Sequence, residues 1–138
     1  MAFAHGKSAV FKLDNSSGSL VDYSSYLNDV SLSRSIEAAE TTTFGVTGSA
    51  KTYIVGLSDG TFSISGLFDA TADGTLAGVL GQAATLSFEY GPTGSTGGFV
   101  KYTGECIMTS YDVSASVGDA VQASADFQVT GAITRTTW

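Results

Sequence analysis

Charge is scarce in this chain of 138 residues, and most of it has one sign. Only 14% of the residues are Asp, Glu, Lys or Arg, and 13 acidic residues outnumber 6 basic ones, for a formal net charge of -7 at pH 7. Affinity for nucleic acids rests mainly on cationic side chains that neutralise phosphates, so tight binding of DNA or RNA is not expected. An acidic surface that DNA passes without binding is compatible with this balance.

Cysteine and long apolar runs are also scarce. The single cysteine, Cys106, excludes an internal disulfide and a multi-cysteine metal site. No apolar run has the roughly 18 residues of a membrane span. Residues 1–6 have neither the basic start nor the apolar stretch of a secretory signal. We therefore expect one domain, residues 1–138, made and used without export or membrane insertion.

Small polar residues take the place of charge. Ser and Thr together number 36, and Gly adds 17. Soluble domains usually carry about 25–35% charged residues on their surface. The composition therefore indicates either that hydroxyl groups solvate the surface or that partners bury much of it.

Strict alternation of apolar and polar residues is the strongest pattern in the sequence. It predicts four long strands, each with one polar, water-facing side (its wet face), at 29–36, 61–68, 106–116 and 121–130. In the third segment, Ile107 is assigned to the apolar side together with Tyr111 and Val113. The polar positions are Asp29, Ser31, Ser33 and Ser35; Thr61, Ser63 and Ser65; Ser110, Asp112, Ser114 and Ser116; and Gln122, Ser124, Asp126, Gln128 and Thr130.

Shorter segments complete the predicted fold. Strands are expected at 9–13, 53–55, 85–90 and 99–103, and a flexible glycine-rich loop at 91–98. Ser58-Asp59-Gly60 predicts a tight hairpin turn, because Asp-Gly supplies the positive φ that such turns need. A short helix is predicted over Ala72 to Gln82, capped by Thr71 or Asp73. The expected fold class is mainly β: an antiparallel β-sandwich or split barrel with one short flanking α-helix and a long inter-strand loop.

The long inter-strand loop is predicted at Glu37 to Ser49. This segment has neither helical nor strand periodicity and lies between two predicted strands. Structureless loops of this length are uncommon in compact domains and are often functional.

Nothing in the sequence makes an enzyme the leading hypothesis. His5 is the only histidine and lies near the start of the chain, and Cys106 is expected to be a small buried residue. The acidic pairs, such as Asp69 with Asp73, lack the dense spacing of a calcium loop. The glycine-rich segment 91–98 lacks the Gly-Lys-Ser/Thr ending of a phosphate-binding loop. We expect no catalytic residue, no metal and no cofactor.

The wet strand faces allow two interpretations. One is a β-sandwich whose outer faces meet solvent. Strands of that kind normally carry Lys, Glu and Arg, partly to block pairing at their edges, whereas these carry Ser, Gln and an occasional Asp. The other is a confined aqueous surface such as a pore wall, where a sliding polyanion meets no cation.

Several motifs in a fixed order carry a family resemblance. They are Ser31-Leu32-Ser33-Arg34-Ser35, Glu40-Thr41-Thr42-Thr43-Phe44-Gly45, the segment 51–69 around Gly56-Leu57-Ser58-Asp59-Gly60, Phe88-Glu89-Tyr90-Gly91-Pro92-Thr93-Gly94, and Phe127-Gln128-Val129-Thr130-Gly131. Over nearly the whole chain, the sequence resembles the major tail tube proteins of long-tailed phages, a family related in fold to the tube proteins of type VI secretion.

The resemblance implies a structural virion protein. Six copies would close into a ring whose inner strands form one continuous barrel, and rings would stack into the tube through which DNA is ejected. Implied partners are further copies of the chain, a tape measure protein, tail terminator and tip proteins, and DNA in transit without specific binding. The implied location is the virion tail, assembled in the cytoplasm of a bacterial host.

The resemblance also implies roles for particular residues. The lumen would be lined by Asp29, Ser31, Ser33, Ser35, Gln122, Ser124, Asp126 and Gln128. The loop that reaches the neighbouring ring would contain Glu37, Glu40, Thr41, Thr42, Thr43, Phe44, Gly45 and Val46. Arg34 lies on the apolar side of its strand and is assigned to a contact between subunits.

Two other classes of function stay open at this stage. A ligand- or carbohydrate-binding β-sandwich would need a cluster of exposed aromatic side chains, which five tyrosines could supply: Tyr23, Tyr26, Tyr90, Tyr102 and Tyr111. A secreted or surface β-domain is the other class, and the absence of a recognisable signal peptide argues against it.

Overall fold

The computed structural model describes residues 3–138, which form a seven-stranded antiparallel sheet with one α-helix. A short 3₁₀ turn at Gly6–Ser8 precedes the first strand. The elements are β1 (Val10–Asp14), β2 (Leu20–Asp22), β3 (Leu27–Glu40), β4 (Tyr53–Leu67), α1 (Ala70–Val79), β5 (Leu86–Gly91), β6 (Val100–Ser114) and β7 (Gln122–Thr137). The fold class expected from the alternating pattern is confirmed.

The sheet bends across β6 and β7, and the two strands pair with each other on both sides of the bend. Its strand order is β2-β1-β5-β6-β7-β4-β3. Three residues of β7, 131–133, lie opposite the single residue Gly104 of β6, and Gly131 has a φ of 85°. That backbone conformation suits glycine, and irregularities of this kind bend a strand and increase its twist. The bend allows one sheet to fold over and form both layers of a sandwich.

The two layers enclose a core of aromatic and aliphatic side chains. Phe62 of β4 stacks on its neighbour Phe127 with ring centroids 4.5 Å apart. It also contacts Phe88 of β5 at 4.6 Å and Phe11 of β1 at 5.5 Å. Since β1 and β5 are distant from β4 in the strand order, these contacts show the first and second halves of the sheet packed face to face.

Helix α1 covers one end of the core. It buries Ala72, Leu76 and Val79, and the Asp69 carboxylate caps it by accepting hydrogen bonds from the backbone N–H groups of Thr71 and Ala72. The prediction of a helix at this place is confirmed, but its bounds and its cap were wrong. The helix ends at Val79 and not at Gln82, since Gly81 adopts a positive φ shortly after it.

In two places, a pair of predicted strands is a single continuous strand in the structure. Segments 53–55 and 61–67 both belong to β4, and segments 100–103 and 106–114 both belong to β6, so the predicted ends at residues 68, 99 and 116 were slightly too long. The hairpin turn predicted at Ser58-Asp59-Gly60 is therefore wrong. Gly60 instead lies within β4. The Ile133 side chain of β7 packs where a Cβ atom of residue 60 would be, with its Cδ1 atom 2.6 Å from that position, so a larger residue would displace this side chain.

Phe62 and Phe44 offer a matched test of this core. Phe62 is 4% exposed, whereas Phe44 is fully exposed. We expect Phe62→Ala to lower the free energy of unfolding by about 3–5 kcal/mol, because it leaves a cavity among three aromatic rings. Phe44→Ala should change it by less than about 0.5 kcal/mol in the isolated subunit. Urea unfolding at low protein concentration measures both, and equal effects would contradict the packing described.

Candidate functional site

The polar positions predicted for the four long strands lie on one face of one sheet layer, except Ser116, which follows the end of β6, and Thr130, which pairs with Glu105 beside the bend. This layer contains β3, β4, β7 and the Ile107–Ser114 part of β6, in which neighbouring strands pair antiparallel. We call this surface the polar face. Its residues are Asp29, Ser31, Ser33 and Ser35 of β3; Asp59, Thr61, Ser63 and Ser65 of β4; Gln122, Ser124, Asp126 and Gln128 of β7; and Ser110, Asp112 and Ser114 of β6.

The strand register arranges these residues in rows across the layer. One row contains Asp29, Ser65, Ser124 and Asp112, and the next contains Ser31, Ser63, Asp126 and Ser110. The third contains Ser33, Thr61, Gln128 and Ile107. The eight residues assigned to the lumen from the sequence therefore lie on one continuous surface, although β4 separates their two strands.

Hydrogen bonds within the polar face hold several side chains in place. Ser110 Oγ donates to Asp126 Oδ2 at 2.9 Å. Gln128 Nε2 donates to Asp59 Oδ1 at 2.7 Å and to the Gly60 carbonyl at 3.0 Å. Asp59 thus belongs to this surface, which sequence reasoning missed because it assigned Asp59 to a turn. The signal was present: Asp59 continues the odd-numbered polar positions of β4.

A bulge in β6 corrects the assignment of Ile107. Met108 pairs with Phe127 and Ser110 pairs with Asp126, so Thr109 is an extra residue in β6. An extra residue shifts the alternation by one. As a result Cys106 and Met108 point into the core before the bulge and Tyr111 does so after it, whereas Ile107 lies on the polar face and is 38% exposed.

The electrostatics of the polar face are one-sided. Four carboxylates, Asp29, Asp59, Asp112 and Asp126, lie among hydroxyl and amide side chains, and the residues named above include no Lys or Arg. The opposite face of the same layer is apolar and contributes Ile64, Phe62, Ala125 and Phe127 to the core. A surface of this composition offers hydrogen bonds and weak negative charge but no partner for a phosphate.

The second prominent feature is a long hairpin that extends beyond the sandwich. Pairing of β4 with β7 ends at Thr61, while β3 and β4 continue to pair with each other up to Glu40 and Tyr53. We call residues 34–60 the hairpin arm. The predicted loop, 37–49, therefore begins too early in the chain, because residues 37–40 belong to β3. The alternation fails there because residues 37–40 are all exposed, so neither face of β3 has to be apolar. A bulge also lies here, with Gly56 and Leu57 of β4 both opposite Glu37 of β3.

The hairpin arm exposes much of its apolar surface. Leu57 is 76% exposed and Val55 is 74% exposed, and Ile36, Tyr53 and Ile54 each expose more than half of their surface. From residue 34 to residue 59, every residue except Thr42 and Val46 is exposed. Large exposed apolar surfaces on soluble proteins mark sites of interaction.

The tip of the arm is an ordered loop. The backbone N–H of Thr41 donates to the Thr52 carbonyl at 2.8 Å, and the two hydroxyl groups are 2.9 Å apart. The backbone N–H of Thr52 donates to Thr42 Oγ1 at 2.9 Å. The Lys51 ammonium lies 3.7 Å from the Glu40 carboxylate. These bonds close the hairpin and leave Phe44 and its neighbours at the far end.

Arg34 lies where the arm meets the sandwich. It occupies the apolar side of β3, as the sequence indicated, but beyond the end of the core. Its guanidinium carbon is 5.9 Å from the ring centroid of Tyr102, at cation–π distance, and the residue is exposed.

The other chemical groups have structural roles. Cys106 is fully buried, and burial, with the nearby charges of Glu105 and Asp14, raises its pKa to about 12. His5 Nδ1 accepts a hydrogen bond from the Lys7 backbone N–H. Tyr111 donates to Asp73 at 2.7 Å, which ties α1 to β6, and its burial and this bond raise its pKa.

The five tyrosines do not form an exposed aromatic cluster. Tyr23 is buried, and Tyr26, Tyr90 and Tyr111 pack against the core. Tyr102 is partly buried beside Arg34. Within residues 3–138, no group of three or more His, Cys, Asp or Glu side chains could hold a metal ion. No helix of that same region is long and apolar enough to cross a membrane.

Three solved structures have closely similar folds. The tail of an empty GTA particle, refined with C6 symmetry, matches with a TM-score of 0.82 and 20% identity over 98% of this chain and 100% of the other. The SPP1 tail tube matches with a TM-score of 0.71 and 14% identity, over 99% of this chain and 80% of the other. The sheath–tube complex of an extracellular contractile injection system, PVC, matches with a TM-score of 0.69 and 11% identity, over 99% of this chain and 93% of the other.

A family model provides the sequence-level assignment. No curated protein sequence matches the chain. The model described as phage tail tube protein matches residues 4–135, which is nearly the whole length. The long strands, the hairpin arm and the bent sheet lie within that range. The chain belongs to the phage tail tube protein family.

Proposed function

We propose that six copies of this chain form a ring, that rings stack into a tail tube, and that the polar face lines the lumen through which DNA passes. The observation that carries the proposal is the polar face itself: four paired strands that present hydroxyls, amides and carboxylates without a cationic side chain. Support for the copy number comes from the similar fold in a GTA tail of C6 symmetry.

The charge of the polar face accounts for passage without binding. Each copy contributes four carboxylates, so six copies would place 24 around the lumen. Such a wall repels the phosphates of DNA over a Debye length of about 8 Å at physiological ionic strength. Small Ser and Thr side chains keep the wall hydrated, and they do not bind the phosphate backbone of DNA as cationic side chains would. We assign the chain no enzymatic role.

The hairpin arm is proposed to connect successive rings. Its apolar side chains are exposed outside the sandwich, and its tip loop carries the fully exposed Phe44. An exposed phenylalanine on an ordered loop is suited to insert into an apolar recess of the next ring. Residues 41–46 would make this contact, while Glu37 and Glu40 belong to the strands that support it.

The proposal includes the setting of the tube. A tape measure protein inside the tube, terminator and tip proteins at its ends, and assembly in the host cytoplasm follow from the family resemblance. Self-association is the part that the arm and the polar face support directly.

Adding cations to the polar face tests its proposed position in the lumen. We expect Gln122→Lys with Ser124→Lys to leave ring and tube formation intact but to slow DNA ejection at least tenfold, because twelve added ammonium groups would bind phosphates. The matched control, Ser16→Lys with Ser17→Lys, adds the same charge to an exposed turn of the other layer. Ejection is measured by dye-reported DNA release. Equal rates in both variants would exclude a lumenal polar face.

Shortening the arm tests its role in stacking. Replacing residues 43–50 by Asn-Gly should keep the Thr41–Thr52 closure with a two-residue hairpin turn. We expect folded subunits and rings but no tubes in negative-stain micrographs. Phe44→Leu is the control, since it retains apolar contact and should still give tubes. Tubes of normal length from the shortened chain would show that the tip is dispensable.

A further inference from the structure

The one tryptophan of the chain packs across the second layer of the sandwich. This layer contains β2, β1, β5, residues 100–105 of β6 and residues 130–137 of β7, and Trp138 directly follows it. A Cβ atom on Gly91, at the end of β5, would be 2.7 Å from Trp138 Nε1 and 2.9 Å from its Cζ2 atom. The indole therefore packs on the backbone of Gly91, two strands away from β7.

Two lysines approach the same indole ring from different strands. The Lys12 ammonium of β1 is 5.2 Å from the ring centroid, and the Lys101 ammonium of β6 is 4.8 Å from it. Both distances are within the range of cation–π attraction. A chain with only 6 basic residues thus directs two of them at its single tryptophan.

The indole covers the face of the second layer that is turned away from the core. Lys12 lies between Phe11 and Leu13, which are both buried in the core, so alternation directs Lys12 to the opposite face. Glu89 pairs with Lys12 and shares that face, and its carboxylate lies 3.6 Å from the Lys101 ammonium. The two lysines and the carboxylate therefore surround the ring on one surface, and the carboxylate offsets the repulsion between the ammonium groups.

Packing and charge hold the indole in place. Within residues 3–138, the buried Nε1–H group of Trp138 has no hydrogen-bond partner. The Lys101 side chain is only 19% exposed, and cation–π attraction strengthens as the cation loses water. Another aromatic ring should therefore retain part of the contact, whereas an aliphatic side chain should not, because it has no π-face.

The backbone of Trp138 holds the far end of the glycine-rich loop, residues 92–99. Its N–H donates to the Phe99 carbonyl at 3.0 Å, and its carbonyl accepts from the Gly98 N–H at 3.2 Å. The indole meanwhile covers Gly91, the residue before the loop. Glycines lose much conformational freedom when they are ordered, so a loop rich in them gains from being fixed at both ends.

Strand β1 is attached to the sheet by short ladders. It pairs with β5 over residues 10–13 and with β2 over residues 12–14. It nevertheless contributes Phe11 and Leu13 to the core. β1 and β7 are not neighbours in the strand order, so the contact of Lys12 with Trp138 connects them without backbone pairing.

We propose that Trp138 is a clasp on the second layer: its indole, held by Lys12 and Lys101, orders the glycine-rich loop and fastens β1 to the strands beside it. When the clasp opens, the loop and β1 become mobile together, while the layer that bears the polar face keeps its structure. The clasp is a property of the single subunit and is independent of ring formation.

Fluorescence of the isolated full-length subunit tests the lysine contacts, because Trp138 is the only tryptophan. Lys12→Met and Lys101→Met each remove an ammonium group, keep an apolar side chain and leave the ring in place. We expect the double variant to increase acrylamide quenching at least about twofold, because the ring loses both cations and becomes more accessible. Lys51→Met is the matched control, since Lys51 lies at the tip of the hairpin arm beside Glu40. Equal quenching in the double variant and the control would overturn the clasp.

Hydrogen exchange separates the cation–π contact from simple packing. Trp138→Phe keeps an aromatic face, whereas Trp138→Leu keeps an apolar side chain without one. We expect amides of residues 10–13 and 94–99 to exchange about tenfold faster in Trp138→Leu than in Trp138→Phe. Exchange at Phe62 and Phe127, in the other layer, should be the same in both variants.

Equal exchange in the two Trp138 variants, or faster exchange in the loop without a change in β1, would contradict the clasp. If the Trp138→Leu chain does not fold, the double lysine variant is compared with the unsubstituted subunit. The same difference of about tenfold is expected there, at the same two segments. Unchanged exchange at both segments would show that the lysines do not hold the ring.

Discussion

The structure depends on the two-residue period of its long strands. A strand directs successive side chains to opposite faces, so a single sequence can give one dry face and one wet face. β3, β4, β6 and β7 do this together and in register, which is why the core and the polar face are two sides of the same layer. A one-residue slip of β4 or β7 would move polar residues into the core and phenylalanine onto the polar face. The register is therefore fixed by the same burial that stabilises the domain.

Much of this could be predicted from the sequence. The four alternating segments were identified, their polar residues lie on one face, and the helix lies where its pattern placed it. What alternation alone could not provide was the pairing order. Gln128 and Ser33 belong to the same row only because Thr61 lies between them, and that arrangement depends on long-range packing.

The predictions from the sequence fail where the alternation of apolar and polar residues is interrupted or misread. Thr109 is an extra residue in β6, so Ile107 was assigned to the wrong face. Residues 37–40 pair with β4 but are exposed on both faces, so a paired segment had no alternation and looked structureless. Gly60 resembled a turn residue, whereas its lack of a side chain makes room for Ile133. The bulge at Thr109 interrupts the alternation within β6 itself, whereas the exposure of residues 37–40 and the packing at Gly60 depend on which other strands lie beside them.

The hairpin arm has a consequence for the order of assembly. In an isolated subunit it is a two-stranded ribbon supported mainly by its own ladder, and ribbons of that kind are only marginally stable in water. We therefore expect the arm to open locally more readily than the sandwich in the free subunit. If the arm connects rings as proposed, the end of a tube offers a preformed surface on which one arm becomes ordered, whereas free subunits must order several arms at once. The proposed contact then favours elongation of a tube over its spontaneous nucleation.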